Sequence, residues 1–206
     1  MDKQPVPAAT KEIHIPQELG ERLLKGDITL SEFLGLSTRT LYAIANLGHQ
    51  MLKTGNFRGA VDVFRGLVAA APYDSVFHTH LGAAYANLEQ YDEAIEEYTK
   101  AVNYNYANPD ALTGRGELLL RAGRIPEALH DLSEAVKHDK TGRRLSTQRA
   151  RTMLTLLQRA AHTAKAEAKA APAAKAAPAK AAAPKAAEKK SSEKHGHKKH
   201  ETRAKK

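Results

Sequence analysis

Gly48, Gly82 and Gly116 recur at one fixed interval, and Ala60, Ala94 and Ala128 repeat that interval twelve positions later. A fixed period of about 34 residues marks a helix–turn–helix unit that cannot bury its apolar side alone, so successive units must stack. The chain is thereby constrained to an all-α solenoid. The pattern favours a binding scaffold over an enzyme.

The three units superimpose without an insertion. The first helix carries Ile44, Leu47, Gly48 and Met51 in unit one. His78, Leu81, Gly82 and Tyr85 match them in unit two, and Leu112, Arg115, Gly116 and Leu119 in unit three. These are i, i+3, i+4, i+7 positions on one helical face. A helical glycine costs about 1 kcal/mol relative to alanine, so its recurrence at one phase implies a gain, namely close approach of a partner helix. Turns at Gly55, Glu89 and Gly123 follow. The second helices then carry Ala60/Phe64/Leu67, Ala94/Tyr98/Ala101 and Ala128/Leu132/Ala135. Pro72 ends the first unit, Tyr106 and Lys140 stand where the next two prolines would be, and Pro109 opens the third. This pattern resembles the tetratricopeptide repeat (TPR), with units at about 41–74, 75–108 and 109–142 inside a repeat region of 37–140.

The flanks read differently. Residues 1–15 are polar with Pro5 and Pro7 and are expected to be a flexible N-terminus. A helical leader is expected over 16–36: a short helix from Pro16 to a stop at Gly26, then a turn from Thr29 to Phe33. Ser37 has the character of an N-cap. A capping helix is predicted over 144–160, its arginines (Arg144, Arg149, Arg151 and Arg159, with Arg143 just before them) forming a solvated outer face. From 161 to 206 the composition collapses to Ala, Lys and Pro, with Pro172, Pro178 and Pro184 interrupting any helix, and a disordered basic tail is expected. Residues 1–139 carry 13 Lys+Arg against 19 Asp+Glu, whereas 140–206 carry 19 against 4. A mildly acidic repeat region therefore precedes a strongly basic third. The N-terminus lacks an apolar signal region, and no stretch approaches the about 18 apolar residues of a membrane span. A cytoplasmic protein is expected.

The residues offer little chemistry. There is no cysteine, no nucleophile elbow, no phosphate-binding glycine loop and no zinc-protease motif. No enzyme activity, cofactor or metal site is expected. Glu93, Glu96 and Glu97 read as a solvated acidic face. His78 and His80, two apart on a helix, are poorly placed as joint ligands, and His195, His197 and His200 offer at most weak metal capture. The useful surface is the concave groove. Its expected lining is Tyr42, Ala45, His49, Leu52 and Phe57 from the first unit, Val76, Thr79, Ala83 and Ala86 from the second, and Thr113, Glu117 and Leu120 from the third. The Lys, Asn and Arg of a carboxylate clamp are absent, since Ala45, His49, His80, Asp110 and Gly114 occupy those places. Such a groove suits an extended peptide with apolar anchors, unless the N-terminal leader folds back over it. The tail offers Lys165, Lys169, Lys175, Lys180, Lys185, Lys189, Lys190, Lys198, Lys199 and Arg203 to a polyanion such as DNA. The alternative function is thus an adaptor that tethers a protein partner to DNA.

One stretch is more specific. The leader LLKGDITLSEFLGLS (23–37), the turn at Gly55 and Phe57, and PYDSVFHTHLGAAYA (72–86) resemble the class II chaperones of type III secretion, small TPR proteins that bind apolar translocator subunits. The resemblance covers about residues 18–157. It implies an extended translocator segment, often with a P-x-L-x-x-P spacing, held in the groove and kept soluble until export. It also implies self-association through the N-terminal helix, hence a homodimer, and in some members co-activation of a transcription factor. Two features depart from the family. Ala45 and Leu52 stand where aromatic residues are common, with Phe57 alone aromatic. The Ala/Lys/Pro tail is foreign to the family and resembles those of linker histones and bacterial histone-like proteins.

Overall fold

The computed structural model describes residues 16–170, with side chains through residue 167. The chain divides into a unit Met1–Thr163 and a second unit Ala164–Lys206. Within the described residues the structure is wholly helical. Two short helices, α1 (Gln17–Lys25) and α2 (Leu30–Phe33), lead into three helix pairs: α3 (Thr38–Lys53) with α4 (Phe57–Ala70), α5 (Ser75–Asn87) with α6 (Tyr91–Tyr104), and α7 (Pro109–Arg121) with α8 (Ile125–His138). Helix α9 spans Leu145–Ala170. Local chemistry starts these helices where the sequence requires. Ser37, Asn56, Asp74 and Asn108 each accept a backbone N–H of the following turn, and Thr29 and Glu32 form a reciprocal capping box.

The glycine ladder is a packing ladder. A β-carbon on Gly48 would lie 2.8 Å from the Phe64 ring, one on Gly82 3.1 Å from Tyr98, and one on Gly116 3.0 Å from Leu132. Phe64, Tyr98 and Leu132 themselves repeat at the interval of the glycines. Each large side chain of a second helix thus lies against the bare backbone of its first helix. Ala60, Ala94 and Ala128 are fully buried beside it. The phase continues one step further than the three-unit reading. Ala150, one full period after Gly116, is fully buried on α9 and packs with Leu112, Leu132 and Ala135. Helix α9 is therefore the first helix of a fourth unit, and it runs to Ala170, past the expected composition boundary at 160. The basic segment beyond 170, with Lys175 through Arg203, lies outside the described residues, as does the N-terminal stretch 1–15.

The leader does not cover the concave side. Helix α1 packs on α2, and α2 on α4. Leu24 remains 89% exposed.

Two buried ion pairs replace apolar contacts between the helices. Positions 63, 97 and 131 are equivalent, and they hold Val63, Glu97 and Asp131. Glu97 is not part of a solvated acidic face. It is buried, accepts from His78 Nδ1 at 2.6 Å and from Lys100 at 2.9 Å, while Glu93 and Glu96 remain exposed. Asp131, also buried, takes a bidentate pair from Arg115 at 2.7 and 2.8 Å. These partners follow from slots the helical face turns inward: His78 and Arg115 occupy apolar phase positions and carry their charge in with them. The other nitrogen of His78 faces the Pro72 carbonyl at 2.8 Å. A neutral imidazole has one N–H and cannot satisfy two acceptors, so the ring is held as the cation. Burial opposes that charge, but Glu97 and the Pro72 carbonyl outweigh it and raise the His78 pKa. Burial likewise opposes the Glu97 charge, and its bonds to His78 and Lys100 hold its pKa below the ordinary value.

The raised His78 pKa gives stability that is complete below its unfolded value of about 6.5 and is lost as pH rises through the folded value. The lowered Glu97 pKa gives stability present above about 4.5 and lost as pH falls. Urea midpoints should therefore decline from pH 6 to 9 more steeply in the parent than in Glu97→Gln; equal slopes would remove the charged pair. The turns supply a second prediction. Gly55 and Gly123 have φ of 82° and 74°, and Glu89 stands at the same phase with φ 61°. A non-glycine residue in this region is disfavoured by about 1–2 kcal/mol, so Glu89→Gly should stabilise the chain by about 1 kcal/mol in thermal or urea unfolding.

Candidate functional site

Helices α3, α5, α7 and α9 line one side of the repeat stack, and a cavity of about 610 Å³ opens there. Of the expected groove residues, His49, Leu52, Val76, Thr79 and Ala83 line it. Ala86 and Glu117 line a second cavity of about 460 Å³, which shares Ala83, Asn87, Tyr98 and Arg149 with the first. The remaining five lie elsewhere. Ala45 is buried in the first core cluster, and Leu120 packs on the third. Thr113 is fully buried, its hydroxyl donating to the Ser146 carbonyl under α9 at 3.3 Å. Phe57 opens α4, a second helix, and lines neither cavity. Tyr42 donates to Asp74 at 2.9 Å and tilts against Phe77; burial and then that carboxylate push its hydroxyl up to about 12. For Thr113 and Leu120 the reason is α9, which closes over the last repeat.

The start of α9 and the residue before it build the far wall. Arg144 bonds Asp110 at 2.7 Å, and Ser146 donates a short bond to the same carboxylate. Arg149 Nε lies 3.1 Å from Glu117 Oε1. Arg144, Arg149, Arg151 and Arg159 all remain exposed. Burial raises the Glu117 pKa, and Arg149 opposes that rise. On the opposite wall the His80 ring stacks on Phe64 and meets His49 edge-on, with centroids 5.3 Å apart. Burial, then the neighbouring His80 and Lys53, lower the His49 pKa and hold its ring neutral at pH 7. Among the described residues no three metal-ligating side chains converge. Small apolar side chains, two histidine rings in edge contact and paired charges make up this surface.

Comparison with known proteins fits this geometry. The tetratricopeptide repeat family matches residues 79–142, and the bacterial transcriptional activator domain family matches 18–106. The chain is 29% identical over 140 residues to the low calcium response locus protein H of Yersinia pestis, across 67% of this chain and 83% of that protein. The type III secretion translocator chaperone SycD of Yersinia enterocolitica superimposes with a TM-score of 0.57 and 27% identity, over 63% of this chain and 98% of SycD. The chain is similar in sequence and in fold to the type III secretion translocator chaperones. A second SycD structure, solved in complex with a peptide of the translocator YopD, superimposes with a TM-score of 0.53 at 29% identity, over 60% of this chain and 95% of that one.

In this chain the groove floor comes partly from a residue that repeat phase assigns to the core. Tyr98 belongs to α6, a second helix. Its ring base lies against Gly82 of α5 and its tip against Gly114 of α7, where a β-carbon would sit 2.4 Å from the ring. The ring therefore threads between two first helices and reaches both cavities. Its hydroxyl has no hydrogen-bond partner among the described residues, and burial raises its pKa well above the ordinary value. The signal was present in the sequence as Gly114, a second glycine on α7 outside the ladder. Gly114→Ala should push Tyr98 out of its slot and destabilise the chain by about 1–3 kcal/mol, as overpacking does. Chemical denaturation of Gly114→Ala beside Gly66→Ala, where a β-carbon meets nothing within 4 Å, checks this; equal losses would contradict the threading.

Proposed function

We propose that the chain is a non-enzymatic, cytoplasmic chaperone that holds an extended apolar segment of a translocator-type secretion partner in the α3/α5/α7 groove. It keeps that segment soluble before export. One observation carries the reading: an open groove of about 610 Å³ with Leu52, Val76 and Ala83 on its wall, in a chain 29% identical to a chaperone crystallised with a translocator peptide. An extended chain bound there would seat alternate side chains in the small-residue pockets while polar groups at the rim meet its backbone. Among the described residues no helix is long and apolar enough to cross a membrane, which suits a carrier for a membrane-active partner. A homodimer through the N-terminal helix belongs to the same reading, since α1 leaves Leu24 open to a second copy. The alternative, a tether to DNA through the basic tail, rests on charge alone and has no support among these relatives.

Co-expression with a translocator-type protein encoded beside this chain tests the assignment. A soluble complex is expected, and Leu52→Glu, which puts a charge into an apolar wall, should weaken it at least about tenfold, equivalent to about 1.4 kcal/mol. Unchanged affinity in that variant would place the partner elsewhere.

A further inference from the structure

Positions 53, 87 and 121 are equivalent, one repeat period apart, at the C-terminal ends of α3, α5 and α7. They hold Lys53, Asn87 and Arg121. All three line the groove: Lys53 and Asn87 the larger cavity, Asn87 and Arg121 the smaller. One edge of the groove is therefore a row of hydrogen-bond donors, one per repeat.

The charge balance of the groove gives this row its meaning. Both groove carboxylates already have arginine partners, Asp110 with Arg144 at 2.7 Å and Glu117 with Arg149 at 3.1 Å. Lys53 has no carboxylate partner among the described residues. Arg121 has none either, and its guanidinium lies 4.3 Å over the Tyr91 ring, which orients it without neutralising it. Asn87 spends one amide hydrogen on the Ala83 carbonyl at 2.7 Å, and its second hydrogen and its oxygen stay available to a backbone. Two uncompensated cations thus flank a neutral amide along an apolar wall.

We infer that this row selects the occupant: an extended segment with an apolar centre flanked by two carboxylate side chains, one meeting Lys53 and the other Arg121. This rests on the groove reading above. Helix α5 contacts both α3 and α7. Packed helices lie about 8–10 Å apart, so the two cations are separated by about 18 Å. An extended chain advances about 3.3 Å per residue, which places the two carboxylates about five or six residues apart. The row differs from a carboxylate clamp, because it uses the ends of the first helices rather than their inner positions.

The full-length chain is titrated, by fluorescence anisotropy, with two labelled peptides of identical apolar, proline-containing composition. In one the two glutamates stand six residues apart around the apolar centre; in the other they are adjacent at one end. Attraction to the basic C-terminal third depends on net charge and is the same for both. The spaced peptide should bind at least about fivefold tighter, and the preference should vanish in the Lys53→Glu/Arg121→Glu variant and at about 0.5 M salt, where charge interactions are screened within a few ångströms. Circular dichroism of the double variant checks that it remains folded. Equal affinities in the parent chain, or a preference that survives in the double variant, overturn the inference. If Leu52→Glu then weakens both peptides alike, the groove reading stands and the row alone fails. If Leu52→Glu changes neither, or neither peptide binds the parent, the groove reading fails with it.

Discussion

Everything in this fold depends on how closely each first helix approaches its second. The approach is possible because a glycine backbone faces Phe64, Tyr98 or Leu132, and no β-carbon fits there without displacing them. A buried aromatic or leucine contributes about 1.5–3 kcal/mol, more than the about 1 kcal/mol that a helical glycine loses relative to alanine. The local penalty is therefore outweighed three times over at one phase. Where the phase reaches α9, alanine takes the glycine position and is still fully buried, since α9 has no second helix of its own within the described residues.

The repeats share geometry but not chemistry. At positions 63, 97 and 131 the same slot is filled by valine, by a glutamate bound to His78, and by an aspartate bound to Arg115. Val63 shows that the stack does not require a charge there. Desolvation offsets much of the attraction within such pairs, so their net contribution is small, whereas removing one partner leaves an uncompensated buried charge. His78 and Glu97 consequently tie the packing of α5 on α6, within the second unit, to protonation.

The groove inherits its form from the same stacking. Its walls are the first helices in a row, so residues one period apart become neighbours across it. Its floor is completed by Tyr98, which reaches through from the second-helix layer because both Gly82 and Gly114 leave room. Its far end is closed by the start of α9, where the exposed Arg144 and Arg149 pair with Asp110 and Glu117. A surface of small apolar groups with compensated acids and two uncompensated cations is suited to holding a chain, and the relation to SycD fits that use.

Periodicity was enough to establish the all-helical stack and the turns at Gly55, Glu89 and Gly123, and five of the twelve residues it put on the concave face line the main cavity, because a fixed phase dictates which residues share a face. The same phase, carried one step further, already contained Ala150 and with it the fourth first helix. Which inward side chains would find partners was settled only by folding. Glu97 reads as one of three surface acids until His78 is brought against it, and Thr113 reads as groove lining until α9 covers it. Arg144 and Arg149 stay exposed, as expected, but the partners they find in Asp110 and Glu117 are set by the fold. A sequence period specifies faces, but burial and ion pairing depend on what lies across the gap, and that is a property of helices far apart in the chain.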